Sequence, residues 1–337
     1  MKLNEKYSKF ALVQEMMETV DVVRNFKLED TSKVVEAIKN AGKLFLTGEG
    51  SSRIFPAKNT ICAAMKAGLD LNISTEGSRQ AAEYDLSKFV VFGASNSGST
   101  KEIILLLDKQ KKGENCGVFG LTAREDTILS KYADQTFVLK CGWENAVAAT
   151  KSVAEQALVY NELLAQLQGK SIASELSAAA DAIEAALTLD IDPEITKAIC
   201  GAGTIYFAGR NDGVAEELTL KTNEITRVKS DYLEGTYAAH GIEEVMNPED
   251  VVIVVDPFEA EEEKFQKVLV EGVGMKVFAI SDKETSFPTI KVPSAGELQN
   301  YAYLAAGWNV LVEVGLSLGI DLDKPVRARK VGNEYEG

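Results

Sequence analysis

The run Gly93-Ala94-Ser95-Asn96-Ser97-Gly98-Ser99-Thr100 gathers hydroxyls into one short stretch. It follows the apolar segment KFVVFGA at 88–94, which reads as a strand. It precedes STKEIILLLDKQKK, whose apolar spacing predicts a helix. A helix start offers unpaired amides and the positive end of a dipole. Hydroxyls from Ser95, Ser97 and Thr100 add donors around one anion, and Gly98 permits a tight turn. Together these meet the needs of a phosphate monoester without a cationic side chain. An ordinary serine-rich helix cap is the simpler alternative. No Gly-Lys-Ser/Thr ending is present, so this is not an ATP-type loop.

Gly48-Glu49-Gly50-Ser51-Ser52 stands in a similar place, between the strand KLFLTG at 43–48 and a helix expected from about Ser52 to Ala67. In a parallel sheet both turns leave the same carboxyl edge, so their hydroxyls can converge on one ligand. The full Gly-x-Gly-x-x-Gly pattern fails because Arg53 holds its sixth position, and no nicotinamide cofactor is expected. For proton transfer the candidates are His240, the only histidine, and Glu224. Histidine titrates near neutrality and moves protons both ways. Glu224 shares a helical face with Lys221 and Glu217 in ELTLKTNEITRVK. The plain alternatives are a structural histidine and a solvated helix face laced by Glu–Lys pairs. Spacing alone does not bring Glu224 to His240.

The elements that must position these residues alternate. After two amino-terminal helical stretches come strand candidates KLFLTG, LNISTE, KFVVFGA, CGVFGLT and QTFVLK, with helices following KLFLTG and KFVVFGA and a long helix from about Ala146 to Gln168. KSIASELSAAADAIEAALTL reads as a helical bridge. Strands then return as TIYFAGR, DVVIVVDP, MKVFAISD and FPTIKVP, before a last long helix, ELQNYAYLAAGWNVLVEVGLSLG. FLTGEG matches YFAGRN, FVVFGAS matches VVIVVDP, GVFGLTAR matches KVFAISDK and TFVLK matches TIKVP, each about 160 residues apart. The expected fold class is α/β: two similar three-layer α/β/α domains with mainly parallel sheets. The expected organisation is amino-terminal helices at 1–40, a first domain with the phosphate loop at 41–170, a bridge at 171–198, a second domain at 199–320 and a tail at 321–337. The second half replaces the serine loop by DPFEAEEE, whose carboxylates would repel phosphate, so one such site per chain is expected.

In this order of motifs the chain resembles the sugar isomerase (SIS) domain family in its tandem form, notably the isomerase half of glutamine–fructose-6-phosphate aminotransferase and the stand-alone aminosugar-phosphate deaminases and isomerases. The family's Ser-Gln-Ser-Gly-x-Thr loop corresponds to SNSGST at 95–100 and its Val-Ala-Ser-Thr-Lys segment to VAATK at 147–151, which includes Ala148. The resemblance covers nearly the whole chain from about residue 25. It implies that Gly50, Ser51, Ser52, Ser95, Asn96, Ser97, Thr100 and Ala148 surround the phosphosugar, with Glu144 as a helix-start acid lining the pocket. It further implies that Glu224 shuttles the proton between C1 and C2, that His240 assists ring opening from the neighbouring subunit, and that Lys330 in the tail folds over the sugar. The implied activity is aldose–ketose isomerisation of a hexose or hexosamine 6-phosphate. Aminosugar-6-phosphate deamination, fructosamine-6-phosphate deglycation and phosphosugar sensing without turnover remain alternatives. The implied assembly is a homodimer with the active site at the subunit interface. Thr-Tyr-Ala-Ala-His-Gly-Ile replaces the family's usual Gly-Glu-Leu-Lys-His-Gly-Pro, and Asn96 shortens one donor arm. The residue after the first methionine is Lys2, not a cysteine nucleophile, so ammonia release from glutamine is not expected of this chain alone.

Composition bounds the rest. The 337 residues are 45% hydrophobic and 26% charged, a globular balance that argues against wholesale disorder. Thirty-six Lys and Arg face 51 Asp and Glu, and a net charge of −15 disfavours nucleic-acid backbones as partners. Cys62, Cys116, Cys141 and Cys200 lack metal-ligand spacing and read as buried free thiols, so no metal is expected. The polar start and the lack of a long apolar run predict no signal peptide, no membrane span and a cytoplasmic protein.

Overall fold

The computed structural model describes Met1, residues 4–327 and residues 333–335. The chain divides into two compact units, one formed by 25–144, 149–174 and 329–337, the other by 1–24, 145–148 and 175–328. In chain order the main elements begin with α1 (Ala11–Arg24), α2 (Ser32–Ala41), β1 (Lys43–Gly48), α3 (Ile54–Lys66), β2 (Asn72–Glu76) and α4 (Ser78–Ala81). They continue with β3 (Val90–Ala94), α5 (Lys101–Lys112), β4 (Val118–Thr122), β5 (Gln135–Val138), α6 (Lys151–Leu167), α7 (Leu176–Thr188) and α8 (Pro193–Cys200). The remainder is β6 (Thr204–Gly209), α9 (Val214–Ile225), β7 (Lys229–Glu234), β8 (Val251–Val255), α10 (Glu262–Phe265), β9 (Lys276–Ser281), β10 (Thr289–Lys291) and α11 (Gln299–Ser317).

In the first unit the five strands form a parallel sheet ordered β2-β1-β3-β4-β5. The centre is occupied by the most apolar runs: every residue of β3 and β4 is buried, whereas β2 and β5 at the edges are mixed. Continuous apolar strands are what a sheet covered on both faces requires. Phe92 of β3 stacks on Phe119 at 5.6 Å and meets Tyr160 of α6 edge-on at 5.4 Å. Each such ring pair adds about 0.5–1.5 kcal/mol beyond area burial. The cluster therefore seats β3 and α6 firmly against each other.

The second unit holds the sheet β10-β9-β8-β6-β7, also parallel. Read from the crossover outward, β6 to β10 repeat the order of β1 to β5. All four matched segment pairs occupy equivalent strands, and both sheets are flanked by helices, giving two α/β/α domains of like topology. A strand outside that matching, β7, is the counterpart of β2; its sequence KSDYLE is polar and its burial is that of an edge. The helix expected in AEEEKFQKVLVEG is α only over α10 and continues as a π-helix through Gln266–Val273. α1 belongs to this second unit and packs on α7. Its buried Glu15 accepts the backbone N–H groups of Asn145 and Ala146, which fixes the segment that carries Ala148.

The four cysteines are free, but only Cys141 is buried; Cys62 and Cys200 are partly exposed and Cys116 is exposed. Cys116 precedes β4 at a turn, so the neighbouring apolar run does not cover it. Among the described residues no helix is long and apolar enough to cross a membrane, and no cluster of His, Cys, Asp and Glu could hold a metal ion.

Candidate phosphosugar site

The first unit switches direction between β1 and β3, because the chain leaves β1 for β2 on one side and returns to β3 on the other. Crevices of this kind, at the carboxyl ends of strands, are where open α/β sheets bind ligands. Both hydroxyl-rich turns emerge there. After β1, Gly50–Ser52 forms a single 3₁₀ turn ahead of α3. A Cβ on Gly48 would lie 2.7 Å from the Ser52 carbonyl oxygen, so only glycine lets the chain fold back this closely.

After β3 the loop closes on itself. Ser95 Oγ lies 2.7 Å from Thr100 Oγ1, and Ser95 Oγ accepts the Gly98 N–H at 3.0 Å. Ser97 Oγ accepts the Ser99 hydroxyl at 2.9 Å. Gly98 has φ +65°, and its missing side chain makes room for Thr127. The loop is pinned from outside by Ala123 N–H to the Asn96 carbonyl (3.0 Å) and Leu129 N–H to the Gly98 carbonyl (2.9 Å). Among the described residues the amides of Asn96, Ser97 and Thr100 meet no protein acceptor. Three free N–H groups beside rotatable hydroxyls at the start of α5 make a donor-rich surface.

Two buried side chains hold the turns from behind. Glu144, 1% exposed, accepts Thr150 N–H at 2.7 Å, the Ser152 hydroxyl, and Asn96 Nδ2 at 3.3 Å. It therefore ties the loop to the start of α6, and the Asn96 amide nitrogen is engaged rather than projecting as a donor arm. One helical turn beyond Ser152, Gln156 donates from Nε2 to Ser52 Oγ at 3.4 Å. Sequence reasoning passed over Gln156 as one polar position in a long helix; its i,i+4 spacing from Ser152 was the available signal.

From the other side, residues 333–335 lie antiparallel to the loop end. Lys101 N–H donates to the Asn333 carbonyl and Tyr335 N–H to the Ser99 carbonyl, both at 2.9 Å, with Thr100 opposite Glu334. In a pair of this type the central residue turns its own N–H away from the partner strand. Thr100 N–H thus stays with the loop. Lys330 lies outside the described residues.

The second unit carries the acid–base candidates. Gly213, at φ +89°, opens α9, which presents Glu217, Lys221 and Glu224 along one face. Lys221 Nζ lies 3.2 Å from Glu217 Oε1 and 2.7 Å from Glu224 Oε2. Glu217 and Lys221 are fully buried and only Glu224 reaches solvent, with a side chain 24% exposed. This is not a solvated ladder. Burial alone would lower the Lys221 pKa, but the two carboxylates outweigh it and raise it above the usual lysine range. The ammonium is thus fixed in place, with Glu224 as the partly exposed end of the array.

His240 ends the 3₁₀ turn Tyr237–Ala239 and is exposed. Its Nε2 lies 2.8 Å from Lys264 Nζ. An ammonium only donates, so in this contact Nε2 is the acceptor. Among the described residues no hydrogen bond joins His240 to Glu224. At the crossover of this sheet the turn after β8 is DPFEAEEE. Asp256, at φ +46°, pairs with Arg210, whose guanidinium lies 4.2 Å over the Phe258 ring. These residues line a cavity of about 980 Å³ with Glu259, Glu262 and Lys283. The turn itself carries no serine, although Ser281, Thr285 and Ser286 line the same cavity.

No protein-family model matches the chain. Among curated proteins it is similar to glutamine–fructose-6-phosphate aminotransferase [isomerizing] of Aeropyrum pernix, 26% identical over 70% of this chain and 42% of the relative. It is similar to the protein of that name from Sulfurisphaera tokodaii at 23% identity, over 91% of this chain and 52% of the relative. The chain spans about half the length of the curated relatives it matches. Among solved structures, the C-terminal domain of the Francisella tularensis glucosamine-fructose-6-phosphate aminotransferase superposes with a TM-score of 0.78 at 19% identity, covering 96% of this chain and 100% of that one. The tagatose-6-phosphate ketose/aldose isomerase of Escherichia coli gives 0.79 at 17%, covering 96% and 98%. The glucosamine-6-phosphate deaminase of Thermotoga maritima gives 0.73 at 20%, covering 95% and 98%. The chain has the tandem SIS-type architecture and resembles that family, as its motifs imply.

Proposed function

We propose that the chain acts on a phosphorylated hexose or hexosamine, moving a proton between C1 and C2 through an enediol or enolamine. The observation that carries this reading is the Ser95–Thr100 loop, with its three spare amides and ring of hydroxyls at a sheet crossover. Such a surface complements the oxygens of a phosphate monoester, and it does so in a chain whose net charge is strongly negative.

Carbon-bound protons beside a carbonyl are weakly acidic, so a base must be held against them while the developing oxyanion is stabilised. Glu224 takes the proton from one carbon and returns it to the next. Lys221 serves it by staying charged, which keeps the Glu224 carboxylate oriented. His240 assists ring opening at the anomeric oxygen. Lys330 covers the bound sugar. The working assembly in this proposal is a homodimer in the cytoplasm, with His240 serving the partner's site; light scattering tests the assembly.

Turnover of hexose, hexosamine and fructosamine 6-phosphates, read for both ketose and ammonia, tests the function. Ketose without ammonia supports isomerisation. Ammonia from an aminosugar phosphate assigns deamination, and release of a free amine from a fructosamine phosphate assigns deglycation. Phosphosugar binding with no turnover of any substrate assigns the sensing role. Absence of binding as well as turnover overturns the reading.

A further inference from the structure

Gln156 is fully buried in the second turn of α6, and its amide is split between two surroundings. Nε2 donates to Ser52 Oγ, while Oε1 is buried and meets no protein donor. Asn96 repeats the arrangement at the other turn: Nδ2 goes to Glu144, and Oδ1 is buried without a partner. Buried polar atoms are nearly always paired, and an orphaned one costs free energy comparable to a lost hydrogen bond. Each of the two hydroxyl turns thus has one buried oxygen beside it that is an acceptor without a donor. The dianion of a phosphate monoester supplies only acceptors, so neither oxygen is complementary to it. Hydroxyl groups on a carbon chain are.

Gln156 is also well held. Tyr160, one turn further along α6, packs edge-on against Phe92 of β3, and Ser152, one turn back, bonds Glu144. A helix fixed at both neighbouring turns keeps the amide oriented, which is what discrimination between closely similar ligands requires.

We propose that Gln156 is a specificity-determining residue of this site: its Oε1 accepts a hydrogen bond from a hydroxyl of the sugar's carbon chain, while its Nε2 keeps the Ser52 hydroxyl proton turned toward the phosphate. The inference rests on the serine loop being the phosphate end of a phosphosugar site. It restricts the substrate class to polyhydroxylated phosphates and separates them from simple phosphate esters.

The test is calorimetric titration of the full chain with D-glucitol 6-phosphate and, separately, with inorganic phosphate. Gln156→Leu should weaken glucitol 6-phosphate binding about tenfold and leave inorganic phosphate within about twofold. Gln156→Met, of similar length and good helix propensity, should reproduce the result and serves if the leucine variant fails to fold. Equal losses for both ligands would confine Gln156 to orienting Ser52 and overturn the inference, as would unchanged affinity for both. If the unsubstituted chain binds neither ligand, the serine-loop reading itself fails and the inference falls with it. If the unsubstituted chain binds both, only the variants decide.

Discussion

The turn after β3 and the turn after β8 occupy the same place in two sheets of the same strand order, yet they are opposites in charge. The first closes on Ser95, Ser97 and Thr100 and leaves amides free. The second holds Asp256 against Arg210 in a cavity edged by carboxylates. The duplicated frame positions a turn; what the turn can hold is decided by a handful of side chains. The adjoining helices differ in the same way. α5 is an ordinary amphipathic cover with exposed lysines, whereas α9 buries Glu217 and Lys221 and leaves Glu224 at the partly exposed end of the array. In the proposed reading, one half receives an anion and the other manages a proton.

That division can be broken from either side. The largest effect is expected from Glu224→Gln. Proton exchange at C2, followed as deuterium washout, should fall by at least about 10³-fold, while phosphosugar affinity is retained. Undiminished washout would dismiss Glu224 as the base. Next in size is Lys221→Met, which removes the cation beside the fully buried Glu217. A loss of about 3–5 kcal/mol in unfolding free energy is expected, and adding Glu217→Gln should recover part of it. The intact array also sets a pH dependence. Because the folded state raises the Lys221 pKa, its contribution is complete below the usual lysine range and declines as pH climbs through the raised value. Melting curves between neutral and strongly alkaline pH read this.

Ser97→Asp probes the other half by giving its turn the charge of its counterpart. Affinity for a hexose 6-phosphate should drop about 100-fold, with little change for the unphosphorylated sugar. Equal losses would deny the loop its phosphate role. The smallest effect is Gly98→Ala. A left-handed backbone and overlap with the Thr127 side chain should together cost about 1–3 kcal/mol, measured by denaturant unfolding, without altering the chemistry of the turn.

The central strands were plain in the sequence because burial on both faces leaves continuous apolar runs, as in VVFGA and VVIVV. β7 was not, because KSDYLE lies at an edge where one flank is solvated. The two hydroxyl turns were readable from their position between strand and helix. The burial of Lys221 was hidden, since i,i+3 and i,i+4 charge spacing is identical on a wet helix face and a dry one. Glu144 and Gln156 illustrate the same limit. Each acts on a residue far away in sequence, Asn96 and Ser52 respectively, and only the packing of α6 and of the segment leading into it brings them there. The exposure of Cys116 depends on a turn that hydrophobic spacing does not describe.

The short antiparallel contact at Thr100 has a consequence for how the molecule reports occupancy. Lys101 and Tyr335 share one ladder with the residue that begins α5. Any ligand that quiets the 95–100 turn should therefore slow solvent exchange of both amides together. Clipping the chain ahead of Asn333 would return a donor to the helix start and loosen the rim. Residues 333–335 are in this sense a gauge of the 95–100 turn.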